Sequence, residues 1–317
     1  MSRRKHGDDL TNPAKRLVRA AVDRTVDYVS ARHSLAEKTS PAVKIGLRQL
    51  QATYRSAVER GESLPSTWDT GFRVFSEQDE DGLILFLLSV VGTRAQRFVD
   101  IGAGDGVHAS NCANLAFNLG FDGLFVDANA ESIARGRRLY GGHPDTRGNP
   151  PRFVEAFVKA GTVDGLVREA GFEDEIDLLS IDIDGNDYWI WQAIDCVSPG
   201  IVVIETHTEY GLAEVLAPYD EDYVWHRAPP NSPIGASPAS MTKLAETLGY
   251  RLVGANRFGF NAVYLRNDLA PDLVPSIEVG ELLRHDRNRR RYGAASSIGG
   301  IAQAGAMRNA AEGAQED

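Results

Sequence analysis

Phe98-Val99-Asp100-Ile101-Gly102-Ala103-Gly104-Asp105-Gly106 is a short apolar strand that runs into three glycines at every second position. Glycine tolerates positive φ and lets a ligand approach the backbone closely. A helix is expected over residues 107–118, and free amides at its N-terminus would add donors and partial positive charge. Such a loop suits a nucleotide-like or carboxylate-bearing ligand. It differs from the G-x-G-x-x-G dinucleotide fingerprint, which requires glycine where Val107 stands. The next strand, Gly123-Leu124-Phe125-Val126-Asp127, ends in a carboxylate. In doubly wound folds that position accepts hydrogen bonds from ribose hydroxyls. The competing structural role is an N-cap for the helical run that follows.

Outward from this loop the pattern alternates. Strands are expected at Arg97–Ile101 and over residues 123–127, 152–158, 177–183 and 201–205. Helices are expected over 83–91, 130–140, 163–170 and 188–194. Two more strands, 250–254 and 261–265, are separated by a short connection and predict an antiparallel pair at the sheet edge. A helix over 238–248 precedes them, with Ser237 as N-cap and Pro238 at its first position. The expected fold is α/β: a doubly wound, mainly parallel seven-stranded sheet with an antiparallel edge pair, plus an N-terminal helical extension.

The 317 residues divide into three expected parts. Residues 1–69 form the helical extension. Asn12-Pro13 reads as a helix start, Leu17, Ala21, Val22, Val26 and Val29 recur at helical spacing, and a second helix runs from about 42 to 60. Residues 70–283 form one catalytic domain. Residues 284–317, rich in Gly and Ala, are expected to be disordered. Apolar residues at 43% and charged residues at 25% exclude wholesale disorder. Residues 1–60 carry 13 Lys/Arg against 6 Asp/Glu, whereas residues 61–283 carry 15 against 34, a net −19. An acidic body disfavours extended contact with nucleic acid. Two cysteines exclude a disulfide-dense secreted scaffold. The longest apolar run spans nine residues, too short for a bilayer, and no apolar segment follows the basic N-terminus. A cytoplasmic location without membrane contact is expected, and a homo-oligomer stays open.

The order from Asp100 to Asp127 resembles the cofactor half of an S-adenosylmethionine-dependent methyltransferase of the Rossmann-like class. Three segments resemble the FkbM-like group within it: Phe72-Arg73-Val74-Phe75-Ser76 leading to Glu80-Asp81-Gly82, Asn111-Cys112-Ala113-Asn114-Leu115, and Leu178 through Tyr188. The resemblance covers roughly residues 70–268. It implies S-adenosylmethionine as cofactor. Asp100, Gly102, Gly104 and Gly106 would hold its methionine part and Asp127 its ribose; Ala128, beside Asp127, is a further cofactor candidate. Ala156 and Phe157 would contact adenine, and Glu80 and Asp81 would stand near the cofactor. Asn111 falls in one of the resembling segments and Asp182 in another; both count as cofactor candidates. Asp79 stands where the group carries glycine.

Methyl transfer needs a docked nucleophile and exclusion of water, and a hydroxyl nucleophile needs a proton acceptor or a metal. The fourth strand ends in Asp182-Ile183-Asp184-Gly185-Asn186-Asp187 and the fifth in Glu205-Thr206-His207. Asp182 and Glu205 on adjacent strands partially resemble the metal site of magnesium-dependent O-methyltransferases of the catechol and macrocin kinds. Three readings stand open: Asn186 or Asp187 capping the next helix, Asp182 or His207 acting as base, and a divalent cation such as Mg2+ on Asp182, Glu205 and His207. Asp184, Tyr188, Trp189 and Trp225 are substrate candidates. The long segment 208–237 reads as a lid. The expected activity is O-methylation of a small molecule, such as a sugar or natural product, a substrate class implied by the resemblance alone. A nicotinamide-dependent oxidoreductase and a non-catalytic cofactor-binding module are the alternatives.

Overall fold

The computed structural model describes residues 30–224, 227 and 232–285. The expected helix start at Asn12-Pro13, the basic run at 287–291 and nearly all of the Gly/Ala-rich tail lie outside them. Residues 30–38 are helical. Then come α1 (Pro41–Arg60), α2 (Glu80–Val91), β1 (Arg97–Ile101), α3 (Ala113–Leu119), β2 (Asp122–Asp127), α4 (Ala130–Gly142) and β3 (Arg152–Glu155). The order continues with α5 (Val163–Glu169), β4 (Asp174–Ile181), α6 (Asp187–Ala193), β5 (Val197–Glu205), α7 (Pro238–Thr247), β6 (Tyr250–Ala255) and β7 (Asn261–Arg266).

The seven strands form one sheet in the order β3-β2-β1-β4-β5-β7-β6. β1 to β5 run parallel, while β7 runs antiparallel to both β5 and β6. This is the expected α/β architecture with its antiparallel edge pair. Alternate residues supply opposite faces, as the period of a strand requires. Phe98, Phe125, Leu178 and Val203 pack under α2, α3 and α4. Val99, Leu124, Leu179 and Val202 pack under α5, α6 and α7. Burial on both faces explains why these strands read as continuous apolar runs. Ala31 and Leu35, from the helical stretch at 30–38, belong to the first of these cores. α7 starts as expected, with the Ser237 hydroxyl accepting from the Ser240 amide at 3.1 Å and Pro238 opening the helix.

Two element boundaries differ in ways that matter for the site. The helix expected from 107 begins only at Ala113. Asp105 accepts from the amides of Val107 and His108, and the Ser110 hydroxyl accepts from those of Cys112 and Ala113. Short polar side chains thus hold residues 107–112 in turns, and the glycine loop does not open onto a helix N-terminus. β3 stops at Glu155, three residues early: the Ala156 amide still donates to the Asp127 carbonyl, but the stretch through Val158 is not part of the strand. The order of strands reverses between β1 and β4, and the crevice beyond their carboxyl ends is where open α/β sheets bind ligands.

Candidate active site

A cleft of about 210 Å3 lies at that point. The loops after four adjacent strands build it: Gly102 after β1, Asp127 and Ala128 after β2, Ala156 and Phe157 after β3, and Asp182 and Asp184 after β4. Seven residues singled out in the sequence therefore share one wall. Gly102 is indispensable there, with φ of +87° and with any Cβ placed 1.7 Å from the Asp182 carbonyl oxygen. Gly104 and Gly106 also take positive φ. The Gly104 amide donates to Asp127 at 2.7 Å, and Asp127 also accepts from the Asn129 amide at 2.7 Å. Asn129, not Asp127, caps α4 by accepting from Glu131 and Ser132. Asp127 is thereby left facing the cleft. Phe157 is 46% exposed beside it, a large aromatic face open to a planar ring.

Other sequence candidates stand behind the wall. Asp81 is buried and accepts from the amides of Val74, Phe75 and Ser76 and from the Ser76 hydroxyl. Glu80 is buried and accepts from the Gln78 amide and from the side chains of Asn256 and Asn261. Both carboxylates tie the start of α2 to its surroundings and do not line the cleft. Asn111 donates to the Ser180 hydroxyl at 3.3 Å inside the core. Asp100 is 4% exposed, and burial pushes its pKa up to about 7.

Beyond Asp182 the carboxylates converge. One oxygen from each of Asp182, Asp184 and Glu205 lies within 4.8 Å of the others. Burial first, and the neighbouring carboxylates second, hold the pKa values of Asp182 and Glu205 well above the usual range. Glu205 Oε2 is buried without a hydrogen-bond partner. The expected third member of this group, His207, is not in it, and Asp184 takes its place. His207 turns to Glu209 instead, its Nδ1–H donating to Oε1 at 2.9 Å. Burial lowers the histidine pKa, but Glu209, Asp187 and Asp184 outweigh it and the net shift is upward. His207 Nε2 is buried without a partner, lying against Gly235. Asp187 accepts from the amides of Ile183 and Gly185 at 2.8 Å each and closes the acidic turn. The Asn186 side chain does not cap α6; its amide donates to the Asp220 carbonyl.

The expected lid is a strap across the cleft mouth. Ala217 accepts from the Trp189 indole at 2.9 Å, Asp220 from Asn186 at 2.7 Å, and the Tyr219 hydroxyl from the Ala160 amide at 3.1 Å. Lys159 pairs with Asp222 at 3.1 Å. Residues 217–222 thus bridge the loops after β4 and β3, and Tyr223 forms part of the cleft wall. Trp189 and Tyr188 pack edge to face, so Trp189 anchors the strap and neither side chain lines the cleft. Trp225 lies outside the described residues. Asn186, Tyr223 and Glu209 escaped the list of candidates. The aromatic content of the lid was the signal for Tyr223; the pairing of Glu209 with His207, two residues away, left none.

No protein-family model matches the chain, and no curated protein matches it. Similar solved structures include magnesium protoporphyrin IX methyltransferase (ChlM) from Synechocystis with bound SAM, at 12% identity and a TM-score of 0.38. That match covers 59% of this chain and 77% of the other. An S-adenosylmethionine-dependent methyltransferase from Clostridium acetobutylicum has 12% identity and a TM-score of 0.38, covering 68% and 96%. The CcbJ methyltransferase from Streptomyces caelestis has 15% identity and a TM-score of 0.36, covering 60% and 90%. Among the described residues no helix is long and apolar enough to cross a membrane.

Proposed function

We propose that the chain is an S-adenosylmethionine-dependent methyltransferase of FkbM-like type acting on a hydroxyl of a small molecule, such as a sugar or natural product. The observation that carries this reading is the cleft wall itself. Gly102, Asp127, Ala128, Ala156, Phe157 and Asp182 come from four different strand ends and meet around one space. The resemblance assigns Gly102 to methionine, Asp127 to ribose and Ala156 and Phe157 to adenine, with Ala128 and Asp182 as further cofactor candidates. The sulfonium cofactor supplies an electrophilic methyl group when bound. Asp127 then exchanges its backbone amides for ribose hydroxyls, Phe157 stacks on the adenine, and the strap excludes water. His207 Nε2, with Nδ1 held by Glu209, is the proton acceptor for the hydroxyl nucleophile. Gly235 covers it, so the segment around Gly235 must shift for an acceptor to reach it.

Asp182, Asp184 and Glu205 fit a hard divalent cation, since a partnerless buried carboxylate oxygen and mutual repulsion both favour positive charge there. A bound Mg2+ would supply polarisation of the acceptor oxygen. The catalytic unit is proposed to span residues 70–283. Thermal melting in the presence of S-adenosylhomocysteine or NAD tests the cofactor. S-adenosylhomocysteine at 100-fold over its Kd stabilises the fold by about 2.7 kcal/mol, so Tm rises by several degrees, and NAD leaves it unchanged. A rise with NAD alone would overturn the reading. Gly102→Ala is expected to abolish the response to S-adenosylhomocysteine, because its methyl collides with Asp182.

A further inference from the structure

At the carboxyl end of the sheet one row of side chains runs across three strands. Ile181 pairs with Ile204 between β4 and β5, so Asp182 and Glu205 follow side by side. Glu205 in turn pairs with Asn261 between β5 and β7. Side chains alternate between faces along a strand. Ile201 and Val203 on β5, and Val263 and Leu265 on β7, all belong to the core under α2, so Glu205 and Asn261 point to that same face. The Cβ atoms of residues opposed in this way stand about 4.5–5.5 Å apart. Thr206 pins the register here, since its amide and its hydroxyl both donate to the Phe260 carbonyl, at 2.6 and 3.1 Å.

Glu80, at the start of α2, decides which end of the Asn261 amide faces where. Its Oε1 accepts from Asn261 Nδ2 at 2.9 Å and from Asn256 Nδ2 at 2.8 Å, and its Oε2 accepts from the Gln78 amide at 2.9 Å. Donors occupy both oxygens, so Asn261 presents its NH2 end to Glu80 and turns its carbonyl oxygen away. That oxygen has no hydrogen-bond partner, and Asn261 is 2% exposed. Glu205, its neighbour in the row, also holds a buried oxygen without a partner. Two adjacent buried acceptors with no donor between them are unfavourable. A positive charge placed between them removes that cost.

We propose that Asn261 is a neutral fourth ligand beside the three carboxylates, and that Glu80 is its positioning residue. The inference rests on the reading of Asp182, Asp184 and Glu205 as a divalent-cation site. The four side chains offer oxygen alone, the donor set of hard cations such as Mg2+ or Mn2+. A carbonyl oxygen adds a donor without adding a fourth negative charge to three carboxylates already gathered within 4.8 Å. Asp182 and Asp184 line the cleft, whereas Asn261 closes the buried side of the group under α2. Glu80 thereby gains a role that its place behind the cleft wall left open. Partners that orient a metal ligand change metal affinity about 10- to 100-fold when they are replaced.

The test is Mn2+ titration of the full chain, read by loss of the free-ion signal in electron paramagnetic resonance. Wild type should bind one Mn2+, displaced by Mg2+. Asn261→Leu keeps the volume and carries no oxygen. Glu80→Gln keeps the shape but brings an NH2 group of its own, which can meet Asn261 Oδ1 and free the amide from its orientation. Each variant should weaken Mn2+ about 10- to 100-fold at a temperature where far-UV dichroism shows it folded. A purely structural role would lower Tm and leave the affinity of the folded protein in place, and that result overturns the proposal. No Mn2+ bound by wild type would overturn the cation reading of the carboxylates, and the inference with it. Mn2+ bound equally by wild type and both variants would overturn the inference alone. If the variants fail to fold, anomalous scattering from wild-type crystals grown with Mn2+ decides. Density about 2.0–2.6 Å from Asn261 Oδ1 supports the ligand, and density held by the carboxylates alone overturns it.

Discussion

Asp100 carries two opposed demands at one atom group. Burial raises its pKa, and hydrogen bonds from Ser180, Ser110 and Cys112 pull it back, leaving it at about 7. The unfolded chain releases this proton near 3.8, the ordinary value for an aspartate. Between those two values the folded state holds a proton that the unfolded state has lost. The group's contribution to stability is therefore full below about pH 4 and is lost as pH rises towards 7, at about 1.4 kcal/mol per unit. Denaturant melts of wild type and Asp100→Asn across pH 4 to 8 check this. The difference between the two should shift against wild type up to about pH 7 and stay level above it. A difference that stays flat throughout would mean that Asp100 is ionised in the fold across the whole range. At this scale the places of Gly102 and Asp127 at the cleft were legible because strand ends in an alternating pattern have fixed places, whereas Asp100 lies behind the wall. The exchange of His207 for Asp184 among the carboxylates was not legible. Asp184 has φ of +58° and reaches Glu205 only through the shape of the turn that Asp187 closes. No spacing rule encodes that turn.

Among the elements, the strap has the clearest consequence. At about 210 Å3 the cleft is below the size of most ligand pockets, and Tyr223 occupies part of its mouth, packed on Gly185. Under the proposed reading, cofactor exchange requires the strap to lift. Tyr223→Ala should widen the cleft and remove that step. Stopped-flow fluorescence with S-adenosylhomocysteine should show both association and dissociation several-fold faster than in wild type. Asn186→Ala, which cuts the tie to Asp220, should speed dissociation in the same direction. Unchanged dissociation in both would show that the strap is not the gate. The sequence pattern indicated a lid, because a long aromatic-bearing connection inside a compact domain rarely floats free. It did not indicate where β3 ends or α3 begins. Apolar periodicity continues through Ala156–Val158 and Val107–Cys112, while Asp105 and Ser110 draw off the local amides of the second stretch, and the first stays tied to β2 by the Ala156 amide on the Asp127 carbonyl. Those two irregular stretches are where the loops leave regular structure.

For the whole molecule, the sequence reads as a helical extension with a basic outer face packed on an acidic body, and the packing at residues 30–38 shows how the two are joined. Leu35 is 2% exposed and shares a core with Phe75, Leu87, Phe117 and Leu139. The extension therefore completes the layer over one face of the sheet, so its loss should be felt by the sheet. Leu35→Ala removes a buried side chain and leaves a cavity, a change that costs about 2–5 kcal/mol. Three of the four tryptophans, Trp189, Trp191 and Trp225, lie beyond the extension, and Trp68 at its end donates its indole N–H to Glu281, so the fluorescence reports mainly on the body. In urea, far-UV dichroism and tryptophan fluorescence of wild type should follow one coincident transition. Leu35→Ala should move both midpoints down together. An extension folding by itself would give a different pattern: an early dichroism step in the variant, and a fluorescence midpoint that stays where wild type has it.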